Sequence, residues 1–394
     1  MLKGKTVVLG VTGSIAAYKI ANLARMLVKQ HCEVHVLMTQ NATNFINPIT
    51  FETLTKHKCL IDTFDRNFEF SVEHVALAKA ADVVMIAPAS ANVIGKIANG
   101  IADDMLTTTV MACPCKKIVS PAMNHNMFHN PIVQDNIEKL KHYGYEIVEP
   151  AHGMLANGDM GDGRMPDEEL LFEYIVKEIA FEKDMTGKKV LVTAGATVEA
   201  IDPVRFITNH SSGKMGFALA KNAMLRGADV TLVMGKCDSE PPVFVNTVKV
   251  QSAKDMYDAV IERADSMDII VKAAAVADYR PKNVSSEKVK KQDGNMSIEL
   301  ERTDDILKTF GERKNSQFIC GFSMETENML ENSRKKLEKK NCDMIVANNL
   351  KQDGAGFGGN TNIVTLITKD DEVQLEKMTK DEVAEKIFDF ILSR

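Results

Sequence analysis

Among its 394 residues the chain has no long apolar run, no excess of positive charge and no cysteine array, and each absence narrows what it does. Nothing approaches the ~18 consecutive apolar residues of a membrane-spanning helix, so no membrane association is expected. With 48 Lys+Arg against 54 Asp+Glu the formal charge is −6, which offers no global field to nucleic acid or an anionic lipid surface. The seven cysteines are odd in number and scattered, which suits a reducing cytoplasm. Cys113-Pro114-Cys115 is the one close pair, with no second pair or histidine at ligand spacing, so a structural cysteine-bound metal is not expected. The opening residues superficially resemble a signal peptide, but the apolar run Thr6–Val11 breaks at Thr12-Gly13-Ser14 and reads as a first strand. The turn after that strand lacks the dinucleotide fingerprint G-x-G-x-x-G, so a mononucleotide is the better fit.

What is present is an alternation of short apolar runs with helical periodicity, enough for two domains with separate cores. The expected fold is α/β: two doubly wound, mostly parallel-sheet Rossmann-like domains, the first flavodoxin-like, over residues 1–183 and 187–394. In the first half, strand-like runs at 6–11, 34–38, 82–87, 117–119 and 145–148 place the following residues on the rim where such sheets bind ligands. These are Gly13 and Ser14, then Thr39, then Ser90 and Asn92, and finally Met123 and Asn124: small hydroxyl, amide and apolar groups suited to a phosphorylated, planar cofactor. His74 falls at a helix start, where a lone histidine is more often a surface or capping residue than a catalytic one. The stretch Ala151–Pro166 holds four glycines, which argue for a loop; its Met154, Leu155, Met160 and Met165 beside Asp159, Asp162 and Arg164 suit a lid, and a domain linker is the alternative.

Taken together, Gly13-Ser14-Ile15-Ala16-Ala17-Tyr18-Lys19, His74, Ala87–Asn92, Pro121-Ala122-Met123-Asn124 and the glycine-rich stretch resemble the flavin-dependent cysteine decarboxylases. The likeness is to the first half of the bifunctional coenzyme A biosynthesis proteins, phosphopantothenoylcysteine decarboxylase/phosphopantothenate–cysteine ligase. It implies FMN at a subunit interface of a trimer, trimers assembling further into a dodecamer, with His74 and Asn124 as catalytic and substrate-carboxylate-binding residues. The implied chemistry oxidises the thiol of 4′-phosphopantothenoylcysteine to a thioaldehyde whose C=S accepts the electrons of the lost CO2; reduction then gives 4′-phosphopantetheine. The family carries a cysteine as the acid for that last step, in Ala-Cys-Gly-Asp, where this chain reads Ala156-Asn157-Gly158-Asp159. An amide has no titratable proton near neutral pH. An engineered substitution, a natural variant with another acid, and a half turned structural or partner-binding scaffold are all open readings of Asn157.

The second half opens with a strand at 189–193 and a long loop that enters a helix through Phe217–Arg226, with Ser211, Ser212 and Gly213 at its start as a candidate anion site. Further strands are expected at 229–234, 268–273, 317–321, 343–347 and 363–367. Lysines recur at 288, 290 and 291 and at 335, 336, 339 and 340, where i, i+4 spacing puts Lys336 and Lys340 on one helix face. Two lysine sets around a strand-end loop suit a triphosphate, although either alone reads as a solvated surface. This half resembles the phosphopantothenate–cysteine ligase domain. The resemblance implies that CTP is held by Asp278, Lys288, Asp304, Asp305, Ile306, Leu307, Phe322, Lys336 and Lys340. It gives Asn209 the acyl-cytidylate, Arg205 the substrate phosphate, and Lys288 a segment that closes over the nucleotide. The substrates would be 4′-phosphopantothenate, L-cysteine and CTP with Mg2+, and the location cytoplasmic. The glycine run Gly354–Asn360 reads as a loop over that site.

Overall fold

The computed structural model describes residues 2–64, 73–154, 158–290, 296–325, 328–349 and 358–394. Asn157 and most of the Gly354–Asn360 run lie outside the described residues. The chain divides into two units, Met1–Phe181 and Glu182–Arg394.

The first unit is built on five parallel strands: β1 (Thr6–Val11), β2 (Glu33–Met38), β3 (Val83–Ala89), β4 (Lys116–Pro121) and β5 (Glu146–Ile147), in the order β2-β1-β3-β4-β5. All seven residues of β3 are buried, as expected of a central strand covered on both faces. Helix α1 (Lys19–Lys29) buries Ile20, Leu23, Ala24 and Leu27, the i, i+3, i+4, i+7 stripe of an amphipathic helix. The remaining helices are α2 (Pro48–Thr55), α3 (Glu73–Ala80), α4 (Ala91–Ala98), α5 (Met105–Ala112), α6 (His125–Phe128), α7 (Pro131–His142) and α8 (Glu168–Ile179). In this strand order the chain reverses direction between β1 and β3, and the crevice outside their carboxyl ends is the natural ligand position.

Ser14 caps one 3-10 turn, Ile15–Tyr18, that leads into the α-helix at Lys19; its hydroxyl accepts from the Ala16 amide at 3.4 Å. One local expectation is corrected. The stretch 151–166 is not a loop but an antiparallel hairpin of β6 (Ala151–Met154) and β7 (Met160–Arg164). Its glycines do not break the strand because two of them sit where β7 presses against the segment after β4, one on its backbone and one on a histidine ring. A Cβ at Gly163, whose φ is +116°, would fall 2.3 Å from the Met123 carbonyl oxygen, and one at Gly161 would fall 2.7 Å from the His125 ring. Glycine here permits close approach.

The second unit contains β8 (Lys189–Ala194), β9 (Val198–Ala200), β10 (Phe206–Thr208), α9 (Lys214–Leu225), β11 (Asp229–Met234), β12 (Asn246–Lys249), α10 (Ala253–Ala264), β13 (Ile269–Lys272), β14 (Tyr279–Pro281) and β15 (Leu300–Arg302). It continues with α11 (Ile306–Arg313), β16 (Phe318–Glu325), α12 (Met329–Lys339), β17 (Met344–Asn349), β18 (Thr361–Asn362), β19 (Val364–Ile367), β20 (Glu372–Gln374), β21 (Met378–Thr379) and α13 (Lys380–Leu392). The main sheet runs β12-β11-β8-β13-β16-β17-β19-β20, parallel as far as β17, with β19 and β20 antiparallel. The first six strands have the doubly wound 3-2-1-4-5-6 order, whose switch point lies between β8 and β13. The long loop after β8 carries its own small hairpin, β9 with β10. Helix α9 starts at Lys214, directly after the Ser211-Ser212-Gly213 run expected at a helix start, and its N-cap is Gly213 at φ +81°. A side chain at 213 would lie 2.4 Å from Cys237 Sγ, so the chain turns into the helix at this glycine.

Candidate functional sites

At the rim of the first sheet lies a cavity of about 540 Å³. The first turn contributes Ser14, Ile15, Ala16, Tyr18 and Lys19; the segment after β4 contributes Ala122, Met123 and Asn124; the hairpin contributes Met154, Gly163, Arg164 and the adjacent Met165. Asn124 caps α6: its side-chain oxygen accepts the Asn126 amide at 2.9 Å, which leaves the NH2 group to face a ligand. The hairpin is fastened beside it, because the Met123 amide donates to the Gly163 carbonyl at 3.0 Å. Lys19 enters the cavity wall with its ammonium 2.9 Å from Asp167, and that hydrogen bond holds the Asp167 carboxyl below its ordinary pKa.

Other expected residues stand around this cavity rather than in its lining. Gly13 lets the first turn nest against Asn41, since a Cβ there would sit 2.8 Å from the Asn41 Cβ. Ser90 caps α4 and its amide donates to Thr12 Oγ1 at 2.9 Å; Thr12 in turn donates to the Pro88 carbonyl at 2.6 Å, tying the ends of β1 and β3 together. Asn92 is exposed on α4. Thr39 follows β2, and its hydroxyl is buried with no hydrogen-bond partner among the described residues. His74 is the second residue of α3 and half-buried, away from the lining.

The second unit has a cavity of about 550 Å³ of different character. Asp278, Asp304, Asp305, Ile306, Leu307, Lys336 and Lys340 all line it. Phe322 joins through its backbone, whose carbonyl accepts from Lys336 Nζ at 2.9 Å. Asp305 caps α11, accepting the Lys308 amide at 2.9 Å, and pairs with Lys340. Burial opposes the charge on Asp305, but Lys340 and the Lys308 amide outweigh it and keep the pKa low.

Arg205, Asn209 and Lys288 lie off this cavity, on the loops that follow β8 and β14. Asn209 Nδ2 donates to the Ala275 carbonyl at 3.1 Å, at the switch point. Arg205 donates to the Val289 carbonyl at 3.0 Å, next to the exposed Lys288. The buried Asp202 organises both loops. Its carboxylate accepts the amides of Val204 and Arg205 at 2.8 Å and of Val289 at 3.2 Å, which outweigh its burial and hold its pKa down.

Comparison with known proteins separates the same two parts. Residues 1–180 match the family described as "Flavoprotein", and residues 185–394 match the "DNA/pantothenate metabolism flavoprotein C-terminal domain". The coenzyme A biosynthesis bifunctional protein CoaBC of Bacillus subtilis (strain 168) is 48% identical over 373 residues, covering 94% of this chain and 92% of that protein. This chain belongs to that family. The Vibrio cholerae member (serotype O1, strain ATCC 39315 / El Tor Inaba N16961) is 43% identical over 99% of this chain and 98% of its own. The crystal structure of the C-terminal domain of a CoaBC is 47% identical, covering 54% of this chain and 97% of that one, with a TM-score of 0.47. No helix among the described residues is long and apolar enough to cross a membrane.

Within the family frame, the cavities add residues that motif reading missed. Lys272, at the end of β13, lines the second cavity, and burial together with the neighbouring Lys336 pushes its pKa down to about 8. Its signal was available: a lysine closing the apolar run Ile269-Ile270-Val271 is out of pattern unless its ammonium has a use. Tyr18 and Lys19 in the first cavity, and Lys339 in the second, were likewise within recognised stretches but not singled out.

Proposed function

We propose that the chain carries two successive steps of coenzyme A biosynthesis, one in each cavity. In the second unit 4′-phosphopantothenate and CTP form an acyl-CMP and release pyrophosphate, and the amine of L-cysteine then displaces CMP. In the first unit 4′-phosphopantothenoylcysteine is decarboxylated toward 4′-phosphopantetheine. The observation that carries this reading is the pairing of an apolar, amide-bearing cavity in one unit with a lysine-rich cavity in the other, within a chain related to the CoaBC proteins along nearly its whole length.

For the ligase, Lys272, Lys336 and Lys340 offer positive charge to the triphosphate, and Asp305 holds Lys340 in place. A Mg2+ ion bound with the nucleotide would supply further positive charge to the phosphates, beside that of the three lysines. Asp278 and the Asp304–Leu307 turn contact the nucleotide. Asn209 and Arg205 receive the pantothenate end at the switch point, and Lys288 stands on the segment docked against Arg205.

For the decarboxylase, the first unit fits FMN. The small groups Gly13, Ser14, Ser90 and Asn92 surround the switch point, and the buried Thr39 hydroxyl is a polar atom awaiting a partner. A flavin there supplies the two-electron oxidation of the substrate thiol that makes CO2 loss possible. Asn124 directs its NH2 at the substrate carboxylate, Met123 and Met154 exclude water around it, and the hairpin covers it. His74 lies outside the lining, and Ile15, Tyr18 and Met154 of the lining are exposed. Both features support a homo-oligomer, trimers joined into a dodecamer, in which His74 of one copy serves the cavity of another.

Anaerobic mixing with 4′-phosphopantothenoylcysteine, with flavin absorbance and product mass followed for this chain and Asn157→Cys, tests this. Bleached flavin and a product two mass units below phosphopantetheine, completed by the cysteine variant, would leave only the final acid missing. Full turnover by both would assign the proton to another group. No reaction in either would make the first unit a flavoprotein scaffold beside a working ligase.

A further inference from the structure

Outside both cavities, three histidines converge on one carboxylate where the hairpin meets α6. His129 Nε2 lies 2.8 Å from Asp162 Oδ2, and His152 Nδ1 lies 2.9 Å from Asp162 Oδ1. His125 and His129 are one helical turn apart, and a ring nitrogen from each lies within 4.8 Å of the other and of an Asp162 oxygen. We propose that His125, His129 and Asp162 bind a divalent transition-metal cation of the Zn2+ type, which clasps the hairpin to the helix that Asn124 caps.

The donors decide the class of ion. Two imidazoles and a carboxylate suit Zn2+, Co2+ or Ni2+, whereas Mg2+ prefers oxygen ligands throughout. At roughly 2.0–2.2 Å from the metal, tetrahedral donors stand about 3.3–3.6 Å apart. The present 2.8 Å pair must open slightly and the 4.8 Å limit must contract. The side chains of His129 and Asp162 are 49% and 35% exposed, so such rotations displace water rather than core. His125 now accepts the Asp162 amide at Nδ1, 3.1 Å away, and joins by exchanging that bond for the metal. His152 keeps its hydrogen bond to Oδ1 and so aims Oδ2 at the ion, the usual task of an outer-shell partner. Gly161 makes the approach possible, because any side chain there would strike the His125 ring.

The consequence is mechanical. Without the ion, β7 is held to this segment by the Gly163–Met123, Asp162–His125 and His129–Asp162 hydrogen bonds; with it, hairpin and helix share a coordinate link next to Asn124.

Co2+ titration of the full-length protein is the test. One equivalent should produce the visible absorption of a four- or five-coordinate ion, displaced by Zn2+ and indifferent to Mg2+. Asp162→Asn and His129→Gln should each weaken binding more than about tenfold, and His152→Gln should weaken it less. Zn2+ should also slow amide hydrogen exchange in Met160–Arg164, and not in Asp162→Asn. Absence of the absorption at roughly millimolar Co2+, or binding that both ligand variants leave unchanged, would overturn the site. Flavin content of each variant, measured alongside, reports whether the first unit remains folded; none of these readouts requires decarboxylation.

Discussion

The two cavities are nearly equal in size and opposite in physics. The first is walled by Ile15, Tyr18, Met123, Met154 and Met165, with Asn124 as its main directed polar group. The second gathers Lys272, Lys336, Lys339 and Lys340 around Asp278, Asp304 and Asp305. A doubly wound sheet positions both at the carboxyl ends of its strands, so the fold supplies the place and the side chains supply the chemistry. A planar, largely apolar ring system needs shape and a few hydrogen bonds. A triphosphate needs charge held in advance of its arrival, which costs the protein partial neutralisation of its own lysines, as at Lys272 and in the Lys340–Asp305 pair.

Removing charge should therefore damage one activity and spare the other. Lys336→Ala combined with Lys340→Ala should lower ligation, as kcat/KM for CTP, by about 10²–10³. Decarboxylation of supplied 4′-phosphopantothenoylcysteine should be unchanged. Equal loss of both activities would mean that the lysines maintain the structure rather than hold the nucleotide.

Altering shape should do the reverse. Gly163→Ala places a methyl against the Met123 carbonyl at a backbone angle that alanine avoids, so the hairpin must shift. Overpacking of ~1–3 kcal/mol, if carried into the barrier, corresponds to a fall in decarboxylation of about 5- to 160-fold, with CTP-dependent ligation as the internal control.

Lys272 sharpens the contrast through pH. Its pKa of about 8 means that the free cavity loses this charge as pH rises through that value, and CTP affinity should decline in the same range. Binding near pH 8 should take up protons, visible in calorimetry as a dependence of heat on buffer. Lys272→Met should remove the uptake and weaken CTP by about tenfold. The stability sign is opposite to that of a paired lysine. The unfolded chain keeps this proton up to the ordinary lysine pKa of about 10.4, so between about pH 8 and that value the ligand-free native state gains stability from this group as pH rises.

Much of this was legible in the sequence because strand ends and motif residues coincide. Ser14, Met123 and Asn124 reach one cavity, and Asp278, Asp304–Leu307, Lys336 and Lys340 reach the other. The 151–166 hairpin was not legible, since four glycines argue against strands unless one knows that Met123 and His125 press against two of them. Nor was the histidine cluster, because its members belong to two segments whose meeting is a tertiary fact. The fit of Gly213 against Cys237, some two dozen residues away, is likewise a tertiary contact that the sequence does not show.

Thr39→Val makes the smallest change and gives two opposed signs. The Thr39 hydroxyl is buried without a partner among the described residues, so in the flavin-free protein its replacement by a methyl removes a desolvated polar group and should raise Tm slightly. If that hydroxyl serves the cofactor, the same change removes a hydrogen bond of about 1 kcal/mol, and FMN should dissociate about fivefold more readily. The apo protein becomes more stable as the holo protein loses flavin affinity. Thermal melts with and without FMN, together with fluorescence titration, separate the two effects. A variant that gains apo stability and binds FMN as before would assign the orphaned hydroxyl to packing alone, and would make the first cavity depend on shape even more completely than its lining indicates.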